Sequence, residues 1–179
     1  IALAVGFYAA FTWSQGLLLR DAPTFRMVFR GRAIRYTGVA FALLAFTGYG
    51  FGYWTPPFFI REHGLSPGEA GLILGGMAAA GGFLGVTLGG ALADRWKRTD
   101  VNGRLLMGIV TAVIPIPIAV GMLTTESTVL ALVLAFPLSA LTSMWLGPGA
   151  STIQDLVLPR MRGTASAAYL LVITFIGLA

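Results

Sequence analysis

The chain consists of long apolar runs that are separated by short breaks carrying charged and turn-forming residues. A helix needs about 20 mostly apolar residues to cross a bilayer. A membrane β-barrel would alternate apolar and polar residues with a period of two, whereas these runs are apolar at both parities. The sequence therefore predicts an all-α membrane protein. Its six predicted transmembrane segments, the last shorter than a full span, are residues 1–19, 36–60, 70–93, 105–123, 128–157 and 164–179.

The composition agrees with a membrane protein of many spans. Hydrophobic residues make up 56% of the chain and charged residues 11%, and the mean hydropathy is +0.82. A typical soluble domain has about 25% charged residues. The net charge of +5 would suggest nucleic-acid binding in a soluble protein, but here the arginines stand at the ends of apolar runs, where anionic lipid headgroups lie. We therefore expect the lipid bilayer as a partner and no nucleic acid.

The sequence contains few residues that could form an enzyme active site or a metal site. It has no cysteine and one histidine, so disulfides, thiolate ligands and cysteine nucleophiles are excluded. We find no G-x-S-x-G elbow, no paired histidines and no phosphate-binding glycine loop that ends in Lys-Ser or Lys-Thr. The sequence predicts a protein without catalytic residues, cofactor or metal. His63 falls in a turn between Glu62 and Gly64, and we expect it to be solvated.

Positive charge is concentrated in alternate breaks. The breaks at 20–35, at 94–104 and around residue 160 contain all of the 12 lysines and arginines except Arg61. These breaks lie on one side if every segment crosses the bilayer, and the positive-inside rule makes that side cytoplasmic. We therefore expect a multi-pass protein of the plasma or inner membrane. Its basic loops would be cytoplasmic, and its first segment would run from outside to inside.

The break at 20–35 is the longest. Phe25, Val28 and Phe29 fall on one side of a short helix with arginines on the other, a pattern suited to lying in the membrane interface. An ordinary solvated linker with lipid-anchoring arginines explains the same composition. The sequence leaves both interpretations open.

The third segment has a defined start and a glycine face. Ser66, followed three residues later by Glu69, forms a capping-box pattern. Gly81, Gly85 and Gly89 are spaced four apart and share one helix face, which lets another backbone approach closely inside a membrane. We expect this helix to contact a neighbouring helix at backbone distance.

A charged stretch ends the third segment. Residues 90–98 read G-A-L-A-D-R-W-K-R, which resembles the loop motif G-x-L-A-D-R-x-G-R of the major facilitator superfamily, with a lysine in place of the second glycine. Residues 155–162 look like the superfamily's acidic-x6-arginine connection, which begins at Asp155 and ends at Arg162. Residues 48–58 add a G-Y-G sequence before W-T-P-P-F. Together these motifs are similar to the Spinster-like branch, whose members include lysolipid and sphingoid-phosphate transporters.

The resemblance implies a partial superfamily fold and a place in a transporter of two six-helix halves. The basic break at 20–35 fits the cytoplasmic linker between the halves, which makes residues 1–19 the sixth helix. Residues 36–179 are then a truncated C-terminal half, and the chain holds helices six to eleven. The chain begins at Ile1 and ends inside an apolar run, so we expect the N-terminal half of the same transporter as its missing partner. A register that starts at helix one would leave the first segment unassigned.

The motifs also imply a conformational latch. In the family, the loop motif's carboxylate points at the positive N-terminal end of a helix in the opposite half and holds one conformation. Here that carboxylate is Asp94, for which simple headgroup contact is the alternative. Asp155 is expected to be a structural ion-pair acid with Arg160 and Arg162 nearby, rather than a proton carrier. The predicted latch residues are Gly90, Asp94, Arg95, Arg98, Asp155 and Arg162.

The resemblance places the substrate path between the seventh and tenth helices. The fifth segment carries a polar patch and is expected to be broken at Pro137 and at 147–149, and broken helices near mid-membrane often border a cavity. Hydrogen bonding between helices is the alternative role for these hydroxyl groups. The predicted path residues are Tyr49, Tyr53, Ser139, Thr142, Ser143 and Tyr169.

The functional expectation is a secondary active transporter that works by alternating access. An aromatic, weakly polar path without basic residues favours a small organic or amphiphilic substrate, such as a lysolipid-like molecule. The alternative is a non-transporting membrane receptor or scaffold that keeps the same fold.

Overall fold

Every element that the computed structural model describes, over residues 2–177, is helical. Residues 1, 178 and 179, at the outer ends of the predicted first and last spans, lie outside the described residues. The helices are α1 (Ala2–Arg20), α2 (Ala22–Phe25), α3 (Arg32–Glu62), α4 (Pro67–Lys97), α5 (Gly103–Val113), α6 (Pro115–Thr124), α7 (Thr128–Ser143), α8 (Leu146–Asp155) and α9 (Arg162–Gly177). A π-helical segment, Arg26–Arg30, leads into α3, and a 3-10 turn, Pro159–Met161, leads into α9.

Three stretches of the described chain are long and apolar enough to cross a membrane. They are Pro67–Lys97, Gly103–Thr124 and Thr128–Asp155. α3 is 31 residues long, but its arginines, glycines and tyrosines lower its mean hydropathy. α9 has 16 residues, a little less than a full span. The predicted all-α architecture is confirmed.

Two of the predicted spans each consist of two helices. The fourth separates into α5 and α6 at Ile114, because the proline that follows has no amide hydrogen and starts a new helix. The fifth separates into α7 and α8 at Met144 and Trp145. The prediction of a break at Pro137 is wrong, since Pro137 lies inside α7. The break instead falls just before Pro148.

The glycine face predicted on α4 is confirmed. Gly81, Gly85 and Gly89 are buried against α7 and the break that follows it. A methyl group added at Gly85 would collide with the carbonyl of Ala140, and one at Gly89 with the carbonyl of Met144. The two helices therefore meet at backbone distance, as small residues permit inside a membrane.

The break between α7 and α8 explains which carbonyls lie in this contact. The Met144 amide donates to the Leu141 carbonyl at 3.3 Å, so the Ala140 carbonyl lacks the bond that a continuing helix would give it. Pro148 has no amide to offer to the Met144 carbonyl four residues earlier. The carbonyls released by the break are thus the ones that lie against the glycines of α4.

The core consists mainly of two apolar clusters. One joins α3, α8 and α9 and includes Phe41, Trp145 and Ile153. The other joins α3, α4, α6 and α7 and includes Phe59 and Met122. The largest helix contacts, α4 with α7 and α3 with α9, contribute residues to these clusters.

The connection at 20–35 packs its apolar side onto the first cluster. Val28 is 3% exposed, and Phe29 packs against the same cluster. Asp21 caps α2 by accepting hydrogen bonds from the Thr24 amide at 3.2 Å and from its hydroxyl at 2.5 Å. These hydrogen bonds hold the pKa of the Asp21 carboxyl below its usual range. The segment is therefore docked on the bundle, which differs from both a free interfacial helix and a solvated linker.

The expectation of a solvated His63 is wrong. Its Nδ1 lies 3.3 Å from the Thr128 hydroxyl, and its Nε2 is buried without a partner among the described residues. Its ring lies 5.3 and 5.2 Å from the rings of Phe58 and Phe59. The turn after α3 folds back onto the start of α7, so the imidazole is half-buried and its Nε2 is shielded from solvent.

Candidate latch and substrate cavity

The loop motif lies at the end of α4, where the chain reverses into α5. α4 ends at Lys97, and α5 begins at Gly103. A Cβ on Gly103 would lie 2.5 Å from the Lys97 amide nitrogen, so this close approach requires glycine. The reversal brings Arg104 back beside Asp94.

Arg104 connects two carboxylates that come from different helices. Its Nη2 and Nε donate to Asp94 Oδ1 at 2.6 and 3.1 Å, and its Nη1 donates to Oδ2 of Asp155 on α8. Lys97 Nζ donates to the same oxygen of Asp155. The Arg104 side chain is only 16% exposed. These four residues, the ion cluster, carry no net charge and connect the ends of α4, α5 and α8.

The predicted ion-pair partners of Asp155 are wrong. The sequence suggests Arg160 and Arg162, but both are exposed, and neither forms an ion pair within residues 2–177. The α4–α5 reversal packs directly on α8, and this packing brings Lys97 and Arg104 to Asp155. After α8 the chain enters the 3-10 turn, which contains Arg160 and precedes Arg162, and neither arginine pairs with Asp155.

The other predicted latch residues are close to Asp94, apart from Arg162. Arg95 and Arg98 are exposed and border an open depression with Asp94. Gly90 contacts α8, where a Cβ on Gly147 would lie 3.6 Å from the Gly90 Cα. The structure thus brings together five of the six predicted latch residues, with Arg104 as the link to Asp155, and leaves Arg162 at the start of α9.

Sequence reasoning missed Arg104 and Lys97. Lys97 departs from the motif's glycine, and Arg104 lies beyond the motif. The short break between the two segments could have indicated Arg104. When the chain reverses within a few residues, a base near position 104 comes back beside an acid near position 94. The pairing with Asp155 had no local signal, because its partners are 58 and 51 residues distant.

Three of the predicted path residues line one cavity. Ser139, Thr142 and Ser143 face a space of about 380 Å³ between α3, α4 and α7. Its other walls include Thr55 and Pro56 of α3 and the glycine-rich start of α4. Among the described residues, no ionisable side chain lines it. The cavity therefore offers hydroxyl groups and apolar surface.

The hydroxyl groups in this cavity already donate hydrogen bonds. Ser139 Oγ lies 2.8 Å from the Phe136 carbonyl and 3.2 Å from the Met77 carbonyl on α4, and its single hydroxyl hydrogen is shared between them. Thr142 Oγ1 donates to the Leu138 carbonyl at 2.9 Å, and Ser143 Oγ donates to the Ser139 carbonyl at 2.9 Å. Ser139 thus forms a hydrogen bond between α7 and α4, which is the alternative to substrate contact that the sequence left open. The oxygen lone pairs remain as acceptors for a bound molecule.

The predicted tyrosines lie elsewhere. Tyr53 is 71% exposed on α3. Tyr49 lies toward α9, where a Cβ on Gly177 would be 2.9 Å from its ring. Tyr169 is 6% exposed in the first core cluster, and its hydroxyl has no partner among the described residues. Helical phase explains the difference, because the tyrosines of α3 fall between the positions that line the cavity.

A second cavity adjoins the first. It has a volume of about 540 Å³ and shares Phe51, Thr55 and Met122 with its neighbour. Its apolar walls also include the rings of Phe46, Trp54 and Phe58, and Arg61 and Glu62 lie at one end. Hydroxyl-lined and aromatic spaces therefore meet along one face of α3.

Comparisons with known proteins agree with the motifs. The sequence model of the Major Facilitator Superfamily matches residues 4–179. The chain is 32% identical over 153 residues to an MFS-type efflux pump of Mycolicibacterium smegmatis, covering 86% of this chain and 33% of that protein.

A solved structure is similar as well. It is a crystal structure of a bacterial homologue of the human lysosomal transporter Spinster, in an inward-facing and unoccupied conformation. The TM-score is 0.75 at 27% identity, and the match covers 86% of this chain and 32% of that one. The chain thus spans about a third of the length of both relatives.

The family match extends over nearly the whole chain, and the helical arrangement resembles that of a solved Spinster homologue. The resemblance to the Spinster-like branch and the prediction of a non-enzymatic membrane protein are confirmed. The chain belongs to the Major Facilitator Superfamily of multi-pass membrane transporters, and it has part of that family's fold.

Proposed function

We propose that this chain is part of a secondary active transporter that moves a small organic or amphiphilic molecule by alternating access. The observation that carries the proposal is the pair of adjoining cavities along α3, one lined by hydroxyl groups and one by aromatic rings. A neutral polar group that donates hydrogen bonds fits the first cavity. An acyl or aromatic group fits the second.

The relatives support this proposal without fixing the substrate. One of them is an efflux pump, and another is a homologue of a lysosomal transporter. A lysolipid-like substrate combines the polar and apolar parts that the two cavities would accommodate. Of the six predicted path residues, we retain Ser139, Thr142 and Ser143 as the ones that contact it.

We propose further that the chain holds helices six to eleven. In this register α1 is the sixth helix, residues 20–35 are the cytoplasmic linker and residues 36–179 are most of the C-terminal half. The other wall of the substrate path comes from the N-terminal half. The long basic break at 20–35 and the concentration of positive charge in alternate breaks support this register, and the basic loops then face the cytoplasm.

The ion cluster is proposed to be the chain's side of the latch. Asp94 is held by Arg104 but remains 60% exposed, so it can still face the opposite half. In the full-length transporter, Asp94→Asn should alter the balance between inward-open and outward-open states. Spin-label distances across the substrate path measure this balance, and unchanged distance distributions would contradict the latch.

Uptake by the full-length protein in proteoliposomes tests the transport proposal. With fluorescent NBD-lysophosphatidylethanolamine as the probe, Thr142→Val should raise KM about fivefold, the value of roughly one hydrogen bond. Thr87→Val is the matched control, because Thr87 makes the same bond to its own helix, at 2.7 Å to Phe83, on an exposed surface.

The same assay separates a transporter from a receptor or scaffold. We expect saturable uptake by the full-length protein and no flux from residues 1–179 alone, which supply only one wall of the path. Binding of the probe without uptake would favour the receptor. Uptake by residues 1–179 alone would contradict the proposed need for the other half.

A further inference from the structure

The connection at 20–35 presents a row of arginines without ion-pair partners in the described part of the chain. The connection contains five arginines. None of their side chains forms an ion pair within the described part of the chain, and all five are exposed. We call them the arginine row: Arg20, Arg26, Arg30, Arg32 and Arg35. The one carboxylate in this connection, Asp21, is engaged by Thr24.

The packing of the connection on the bundle determines which way its arginines face. Thr24 and Val28 are 2% and 3% exposed, so the inner side of α2 and the π-helical segment faces the bundle. Arg26 and Arg30 belong to the same short stretch and remain outside. The row is therefore held at the ends of α1 and α3 by the fold, rather than carried on a free linker.

The side chains among the arginines indicate the partner. Leu19 is 86% exposed, Met27 40% and Tyr36 74%. A soluble polyanion would leave these apolar groups in water, whereas a bilayer surface covers them with acyl chains and headgroups. Guanidinium groups are always charged at neutral pH and attract phosphate, which suits a phospholipid headgroup.

We propose that the arginine row is a binding site for anionic phospholipid headgroups at the membrane surface. The other basic region of the chain gives an internal contrast, because Lys97 and Arg104 are already bound to carboxylates. The site goes beyond transport itself and does not depend on which substrate is carried.

Lipid binding by the purified full-length transporter tests the proposal. Native mass spectrometry would follow titration with dioleoylphosphatidylglycerol, and dioleoylphosphatidylcholine would serve as the neutral comparison. Each arginine near an anionic surface contributes about fivefold in affinity, so Arg26→Gln with Arg30→Gln should weaken phosphatidylglycerol binding about 30-fold. Arg26→Lys with Arg30→Lys keeps the charge and should change binding by less than about threefold.

The lysine variant is the matched control, because it keeps a positive charge at the same two positions. If the double glutamine variant does not fold, the single variants Arg26→Gln and Arg30→Gln should each show about a fivefold loss. Equal affinity for both lipids would overturn the proposal, as would undiminished binding by the glutamine variants. Tighter binding of inorganic phosphate or a single-stranded oligonucleotide would also overturn it.

Discussion

The ion cluster and the arginine row are both rich in basic residues, yet they use charge in opposite ways. In the ion cluster each base pairs with a carboxylate on another helix, and the net charge of the cluster is zero. In the arginine row the bases stay exposed, and the segment is held by buried Thr24 and Val28 instead. A count of charges per loop therefore does not tell whether the charge is available to the membrane.

Loss of Arg104 should have the largest effect on this contrast. Arg104→Gln leaves Asp94 without its base and Asp155 with Lys97 alone, so we expect a loss of about 2 kcal/mol in stability, as for hydrogen bonds to charged groups. Thermal unfolding of the detergent-solubilised full-length protein measures this. Arg98→Gln, which removes an exposed arginine that forms no ion pair within residues 2–177, is the control. Equal unfolding temperatures for the two variants would show that the ion cluster contributes no stability.

Loss of Val28 should weaken the docked connection by an intermediate amount. Val28→Ala removes two buried carbon atoms, worth about 1.5 kcal/mol. Protease protection of residues 20–35 in the full-length protein reports the docking. Met27→Ala, at a position that is 40% exposed, should leave the protection unchanged. A connection that stays equally protected in the Val28→Ala variant is not held by its apolar side.

Restoring the family's glycine should have the smallest effect. Lys97→Gly removes one partner of Asp155, but the Lys97 side chain is 39% exposed and Arg104 still binds the carboxylate. A partly exposed pair contributes less than about 1 kcal/mol. A double-mutant cycle with Asp155→Asn isolates the pair, with thermal unfolding as the measurement. A coupling of Lys97 with Asp155 that exceeds the coupling of Arg104 with Asp155 would make the lysine the stronger partner and contradict this ranking.

The sequence carried the fold class but not the details of the site. Hydropathy defines apolar helices locally, and the spacing of Gly81, Gly85 and Gly89 predicted a close helix contact that the structure contains. The partners of Asp155 could not be predicted in this way, because they depend on how two distant helix ends pack. The hydroxyl patch at 139–143 was predictable because it lies within one helix. The orientation of the tyrosines on α3 depends on the rotation of that helix, which periodicity alone does not determine.

The contact between α4 and the α7–α8 break has a consequence for the transport function proposed above. Where side chains separate two helices, a change of rotamer lets them slide past each other. Here the carbonyls of Ala140 and Met144 lie directly on glycine backbone, so there is no rotamer to change. We therefore expect α4, α7 and α8 to move as one rigid unit during the proposed alternating-access cycle, with any bending elsewhere in the chain.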